Sequence, residues 1–442
     1  MRFHRIVMGC QMNEADASWL SHALIARGWE ETSEEDAQVF IVLTCSVREK
    51  PEHKVYSVLG RLAPRLGADG FVAVGGCVAQ QLGETLWQRF PGVRLVFGTD
   101  GTSMVPDALL RLAQHPGRRL SLLDFAEVYP EREGNLPDAV PAQAYVSIMQ
   151  GCDNFCAYCI VPYTRGRQKS RRAAAVVAEC QELVARGVRE ITLLGQNVNS
   201  FGQDASGDGT SFAALLRQVA AIPGLMRLRF TTSHPKDIAP EVVAAFADLP
   251  NLCPHVHLPV QSGSNAVLAA MGRRYTREKY LETVAALRAA RPEIAVTTDL
   301  IVGFPGESAA DFADTVRLVE EVGFASGFSF KYSDRPGTRA EKLPFKVPEE
   351  EKARRLALLQ ETLGQCTARD LAAQVGREVE VLVEGQSRSQ DGTVPWWMGR
   401  DGGGRIVHFP AARANLAGRL VRVQVQESTK HALRGEMMGE PW

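Results

Sequence analysis

Gln150-Gly151-Cys152-Asp153-Asn154-Phe155-Cys156-Ala157-Tyr158-Cys159 directly follows an apolar run at 144–149. That run reads as a strand, so the three cysteines sit on the loop leaving its carboxyl end. Barrel enzymes build their sites on that edge. Three thiolates so close can face one metal centre. A 4Fe–4S cube has four iron corners and is normally held by cysteine thiolates, so three ligands leave one iron open. An open iron can chelate the amino and carboxylate groups of S-adenosylmethionine. The cluster's electron can then cleave the sulfonium to a 5′-deoxyadenosyl radical. The alternative is zinc. Structural zinc takes four protein ligands, and no fourth Cys or His lies nearby in sequence. A catalytic zinc with three cysteines is uncommon.

Outward from this loop, apolar strands alternate with helical patterns. Strands are expected at 144–149, 190–194, 226–230, 255–258, 295–301 and 324–330, with helices such as 173–186 and 280–290 between them. Six βα units predict a partial (βα)6 barrel. Upstream, strands at 3–9, 39–43, 71–74 and 94–97 alternate with helices at 13–27, from about Val47 and from about Ala79. Continuous apolar strands between helices indicate a doubly wound parallel sheet. Residues 129–141, rich in Glu, Pro and Gly, read as a linker. Past Leu371 the period changes from helix to strand, at 378–383, 405–409 and 420–426. This predicts a small antiparallel β-barrel. The expected domains are 1–127, 138–370 and 371–437. The acid-rich stretch 30–36 reads as a solvated turn.

Three further cysteines share one address. Gly9-Cys10-Gln11 ends the first N-terminal strand, Thr44-Cys45-Ser46 the second, and Gly76-Cys77-Val78 the third. All lie at strand-to-helix turns on the carboxyl edge of a parallel sheet, where ligands bind. Helix N-termini there favour thiolates. Cys10, Cys45 and Cys77 therefore make a second three-ligand cluster site, against the simpler reading of three unrelated buried cysteines. Cys180, Cys253 and Cys366 are expected to be structural.

The remaining composition is ordinary for a globular chain of 442 residues, with 45% hydrophobic and 23% charged residues and a net charge of −1. Nucleic-acid contacts must then be local. No apolar run spans a bilayer, and no signal-peptide core follows Met1. A cytoplasmic location is expected, where nine cysteines point to metal or packing rather than disulfides.

CxxxCxxC after the first strand, with Phe155 and Tyr158 inside it, resembles the radical S-adenosylmethionine superfamily. That resemblance implies cofactor contacts from Phe155 and Tyr158, and from segments at later strand ends that carry Gln196, Asn197, Ser233, Gln261 and Ser262. Over the whole chain the sequence is similar to the methylthiotransferase family, with its cluster-bearing N-terminal domain, radical core and C-terminal RNA-binding barrel of the TRAM type. GCQMN at 9–13, TCSVREKPEHK at 44–54, GCVAQ at 76–80, VPYTRGRQKSR at 161–171, HLPVQSGS at 257–264 and YSDRPGT at 332–338 point to the branch of tRNA-2-methylthio-N6-dimethylallyladenosine synthases. Two departures stand out: Gln168 replaces the family's usual Glu, and Asp401 follows Met398-Gly399-Arg400 where Thr is common.

The resemblance implies insertion of a methylthio group at C2 of an isopentenylated adenosine beside the tRNA anticodon. That hydrogen is not acidic, so its removal calls for a radical. Two 4Fe–4S clusters and two molecules of S-adenosylmethionine per turnover are implied, one cleaved to the radical and one donating methyl. The implied partners are the anticodon stem-loop, an electron donor such as a flavodoxin or ferredoxin, and iron–sulfur assembly or carrier proteins. A monomer is expected. Arg165, Arg167, Lys169, Arg171 and Arg172 form a basic run suited to gripping phosphates. Trp396, Trp397, Phe155 and Tyr158 are aromatics on which bases can stack. Other readings are a methylthiotransferase for threonylcarbamoyl-adenosine or a ribosomal-protein aspartate, or a metal-stabilised RNA-binding protein without catalysis.

Overall fold

The computed structural model describes residues 1–46, 51–132, 141–388 and 394–442. The helix start expected at Val47 and most of the expected linker lie outside these residues.

The N-terminal unit is a six-stranded parallel sheet. Its strands are β1 (Arg2–Val7), β2 (Glu30–Glu31), β3 (Val39–Thr44), β4 (Phe71–Gly76), β5 (Val93–Phe97) and β6 (Leu120–Leu122), in the order β2-β1-β3-β4-β5-β6. β3 shows why the sheet is doubly covered. Val39, Ile41 and Leu43 pack with the helix Gln11–Ile25 on one face, while Phe40 and Val42 pack with the helix Pro51–Leu62 on the other. The acidic stretch at 30–36 is more than a turn, because Glu30 and Glu31 pair with Arg2 and Phe3 as an edge strand.

The central unit begins with β7 (Gln143–Ser147) and a short antiparallel pair, β8 (Met149–Gln150) with β9 (Lys169–Ser170). It continues through β10 (Glu190–Leu194), β11 (Arg227–Thr231), β12 (His255–His257), β13 (Ala295–Val302) and β14 (Ser326–Lys331). Two parallel three-stranded sheets, β11-β10-β7 and β12-β13-β14, meet at a Leu228–Leu252 bridge. The barrel is therefore partial, with β7 and β14 as its open edges. Outward residues such as Val146, Ile191, Leu193, Leu228 and Val296 form the main core with the surrounding helices. Alternate residues point inward, and Tyr145, Thr192 and Arg229 form one row across three strands. This inward set is largely polar and lines a cavity of ≈ 980 Å³, unlike the packed interior of an eight-stranded barrel.

The 24-residue helix Glu349–Ala372 leads into a closed barrel of β15 (Glu378–Gln386), β16 (Trp396–Asp401), β17 (Ile406–Pro410), β18 (Leu420–Ser428) and β19 (Leu433–Met438). This barrel docks on the amino ends of the central strands. Arg227 donates to Glu380 O at 2.6 Å and Arg400 O at 2.9 Å, and Arg229 to Asp401 O at 2.7 Å and Gly402 O at 2.9 Å. The turn Gly402-Gly403-Gly404 lies against Pro254, Ala295 and His255. It closes the amino end of the partial barrel.

Candidate active site: two cysteine triplets and a central cavity

The N-terminal triplet is drawn together by backbone geometry. The order of the sheet reverses at β1 and β3, the switch point at which ligands bind in open parallel sheets. Cys10 and Cys45 follow those two strands, and Cys77 follows β4 beside them. Asn13, buried in the first turn of its helix, donates to Met8 O at 2.9 Å and Thr44 O at 3.0 Å. Thr44 Oγ1 accepts from Val78 N at 3.1 Å and Ala79 N at 3.2 Å, and donates to Gly75 O at 2.7 Å. Asn13 and Thr44 thus lock three turns into one surface. Two glycines permit the close approach. A Cβ on Gly9 (φ +118°) would lie 2.1 Å from Cys45 Cβ, and one on Gly76 (φ +91°) would lie 2.3 Å from Thr44 O.

Cys10 hydrogen-bonds Cys45, and this is the largest reason its thiol is lowered to about 6. Arg165 and the backbone at Asn13 add to the effect against the cost of burial. A thiolate is therefore present at neutral pH, as metal ligation requires.

The central triplet lies on a loop that folds back under its own backbone. Gly151 (φ +78°) has no room for a side chain, since a Cβ would stand 2.1 Å from Arg167 O. Cys159 N donates to Cys156 O at 3.0 Å, and Gly151 N donates to Gln196 Oε1 at 2.7 Å. Burial pushes the Cys152 thiol up, and burial with Cys156 beside it pushes Cys159 up to about 12. Such thiols bind metal by releasing protons. Buried Arg273 donates to Cys156 Sγ and Tyr158 Oη, both at 3.5 Å, and to Pro259 O at 2.7 Å. Sequence reading missed Arg273, whose loop carries no periodic signal.

Among the described residues, no three Cys, His, Asp or Glu side chains close around a point the size of one ion. A four-iron cube spaces its ligand sulfurs more widely than a single ion does, so this concerns a single-ion site and not a cluster. The donor sets, three thiols each with no fourth, favour open-iron cubes over zinc.

The expected cofactor contacts divide into two groups. Ser233 Oγ is buried without a partner, as are His234 Nε2 and both side-chain polar atoms of Asn199. Such orphaned atoms suit a polar ligand. Phe155 is partly exposed with φ +46°, and Tyr158 reaches Arg273. Gln196 is half-buried with its Oε1 accepting from Gly151 N, Asn197 is committed to Asp237 and His234 N, and Ser262 to Thr315 and Ser264 N. Gln261 (φ +74°) bridges β13 through its backbone.

The basic run does not form one surface. Arg165, Lys169 and Arg171 are buried. Lys169 pairs with Asp100, and Arg171 with Glu131 and Glu179. Arg167 and Arg172 are exposed, Arg167 pairing with Asp153 and lying over the Phe155 ring. Charge alone suggested a phosphate grip; burial assigns three of the five to ion pairs or to the cysteines. Trp397 is core, its indole donating to Ala411 O, while Trp396 is half-buried under Arg434.

Cys10 and Cys45 line the central cavity at one end, and Glu384, Arg400 and Gly404 line it at the other. Tyr145 on β7 and Phe328 and Phe330 on β14 line it at the open edges. Phe328 is 69% exposed and stacks on Phe330 with ring centroids 6.5 Å apart. On the inner wall Thr297 Oγ1 lies 3.1 Å from His257 Nδ1 and 3.3 Å from His255 Nε2. Burial, with Arg229 nearby, drops His255 to about 3, so it is neutral.

The fold and paired triplets define a radical S-adenosylmethionine protein with an added cysteine site and an RNA-type barrel. Family models agree: Radical SAM superfamily over 146–319, Uncharacterized protein family UPF0004 over 2–98, and TRAM domain over 372–438. The chain belongs to the tRNA-2-methylthio-N(6)-dimethylallyladenosine synthase family. Proteins of that name from Nitratidesulfovibrio vulgaris (strain DP4) and Moorella thermoacetica are 57% and 45% identical to it, covering 100% and 99% of this chain and 99% and 98% of their own. Among solved structures it resembles the radical S-adenosylmethionine methyltransferase TsrM from Kitasatospora setae, with TM-score 0.56 and 15% identity over 77% of this chain and 74% of that one. It also resembles the cobalamin-dependent S-adenosylmethionine radical enzyme OxsB, with TM-score 0.51 and 10% identity over 81% of this chain and 56% of that one. At these identities the likeness is one of fold.

Proposed function

We infer that this chain is a tRNA methylthiotransferase, converting N6-dimethylallyladenosine beside the anticodon to its 2-methylthio derivative. The observation that carries this is the central cavity, bordered by Cys10 and Cys45 and open between β7 and β14. Cys152, Cys156 and Cys159 hold the central cluster in this reading, and Cys10, Cys45 and Cys77 the auxiliary one. When bound, the central cluster supplies the electron that makes a radical from S-adenosylmethionine, and the auxiliary cluster supplies sulfur.

The chain's own groups position and shield. Ser233 and Gln196, with Phe155 and Tyr158, are proposed to hold the cofactor near the central loop. Tyr145, Phe328 and Phe330 offer rings for the flipped adenine and its dimethylallyl group, since single-stranded loops are read by stacking. Exposed Arg167 and Arg172 are left to meet phosphates. The electron donor is proposed to be a flavodoxin or ferredoxin, and the clusters to come from assembly or carrier proteins. No helix among the described residues is long and apolar enough to cross a membrane, and action on tRNA fits a cytoplasmic location.

Mass spectrometry of tRNA nucleosides from a deletion strain tests the reading. Loss of the methylthio-isopentenyl nucleoside, with the isopentenyl nucleoside accumulating, is expected. Loss of a methylthio-threonylcarbamoyl nucleoside instead overturns it.

A further inference from the structure

The buried basic groups after the central loop have different partners. Lys169 and Arg171 face carboxylates. Arg165 is 3% exposed and lies against Cys77 and Cys10 of the other triplet. Its nearest acid, Asp16, is held by Arg132 at 2.6 Å. The guanidinium bonds to Cys77, and its Nη2 reaches Asn13 Oδ1 at 3.5 Å, while Nη1 is buried with no partner. An unpaired buried donor is costly, and a buried guanidinium without a carboxylate is costlier still. The backbone nevertheless fixes it in place, with Arg165 N donating to Val161 O at 2.8 Å and Cys152 N meeting Gly166 O at 3.4 Å.

We propose that Arg165 is a positioning residue for the group held by Cys10, Cys45 and Cys77, its free Nη1–H donating to a sulfur of that group. This rests on the reading of those three cysteines as cluster ligands. The charge balance supports it. Three thiolates gathered at one buried site need a compensating cation, and Arg165 is the guanidinium directed at them. Hydrogen bonds to sulfur and nearby charge set a cluster's reduction potential. A fixed positive charge favours the reduced, more negative cluster, so Arg165 raises the potential of the auxiliary cluster. It leaves that of the central cluster to Arg273.

The test is an EPR-monitored redox titration of the reconstituted full chain, with iron content measured alongside. Wild-type protein holding about eight irons establishes both clusters; about four would undo the underlying reading rather than this inference. In Arg165→Gln the auxiliary signal titrates at lower potential, in Arg165→Lys it falls between, and the central signal stays put. An unmoved auxiliary potential at full iron content, or an equal shift of both signals, overturns the proposal. If Arg165→Gln loads only one cluster, Arg165→Lys decides. Restored iron supports the role of the charge, and continued loss refutes it.

Discussion

Gly9 occupies a backbone region that side chains rarely adopt, and the space beside it is already taken by Cys45. Gly9→Ala must therefore push Cys45 away from Cys10. We expect iron to fall from about eight to about four per chain, with the central EPR signal kept; unchanged iron content would refute this. Gln168 shows how a departure from the family is absorbed. Its amide donates to Ser200 O at 2.7 Å and Asp204 Oδ2 at 3.0 Å, and accepts from Ser200 Oγ at 2.7 Å. A carboxylate there would face Asp204 and lose both donors. Gln168→Glu is expected to destabilise the chain by about 1–3 kcal/mol, read as a lowered denaturant midpoint. The lowered Cys10 thiol makes a pH prediction for metal-free protein. Alkylation of Cys10 rises as pH passes about 6, whereas Cys159, held up to about 12, stays unreactive through neutrality. Equal rates for the two at pH 7 would contradict the geometry.

At the level of elements, much was legible because burial imposes period. β3 and β4 are apolar along their length since both sheet faces are covered, and each ends in a cysteine turn that sequence alone can place. β2 and β6, of two and three residues, carry too little pattern to read. β16 was hidden by Gly399 inside it, a residue whose Cβ would meet Leu382 O at 2.1 Å. The basic run misled because charge in a sequence says nothing of depth. The Gly402–Gly404 turn, whose glycines carry no hydrophobic period, is a docking element. Asp401 explains itself there: its carboxylate accepts from Arg405 N at 2.7 Å and pairs with Arg405 Nη1 at 3.1 Å, while Arg405 also grips Asp370. Asp401→Ala should cost about 1–3 kcal/mol and expose the turn to limited proteolysis while the clusters remain loaded. Unaltered cleavage would show that the docking lies elsewhere.

Across the whole molecule, function depends on three units meeting around one void. Lys169 and Asp100, each with a side chain 3% exposed, join the central unit to the N-terminal one. Removing either strands a buried charge, so Lys169→Ala is expected to lower stability by about 3–5 kcal/mol, seen as an earlier single thermal transition or a split into two. On the open side, Phe328→Ala should weaken binding of the isopentenylated stem-loop several-fold more than that of the unmodified one, measured by fluorescence anisotropy. Equal losses would mean the ring does not sense the prenyl group. Arg165 sits six residues beyond Cys159, at the end of the short helix Val161–Thr164 that follows the central loop. Until that loop is ordered, the auxiliary pocket lacks its cation. The two sites should therefore fill in sequence during biogenesis, the central one first. A partly loaded population should be rich in chains carrying only the radical-forming centre, unable yet to deliver sulfur.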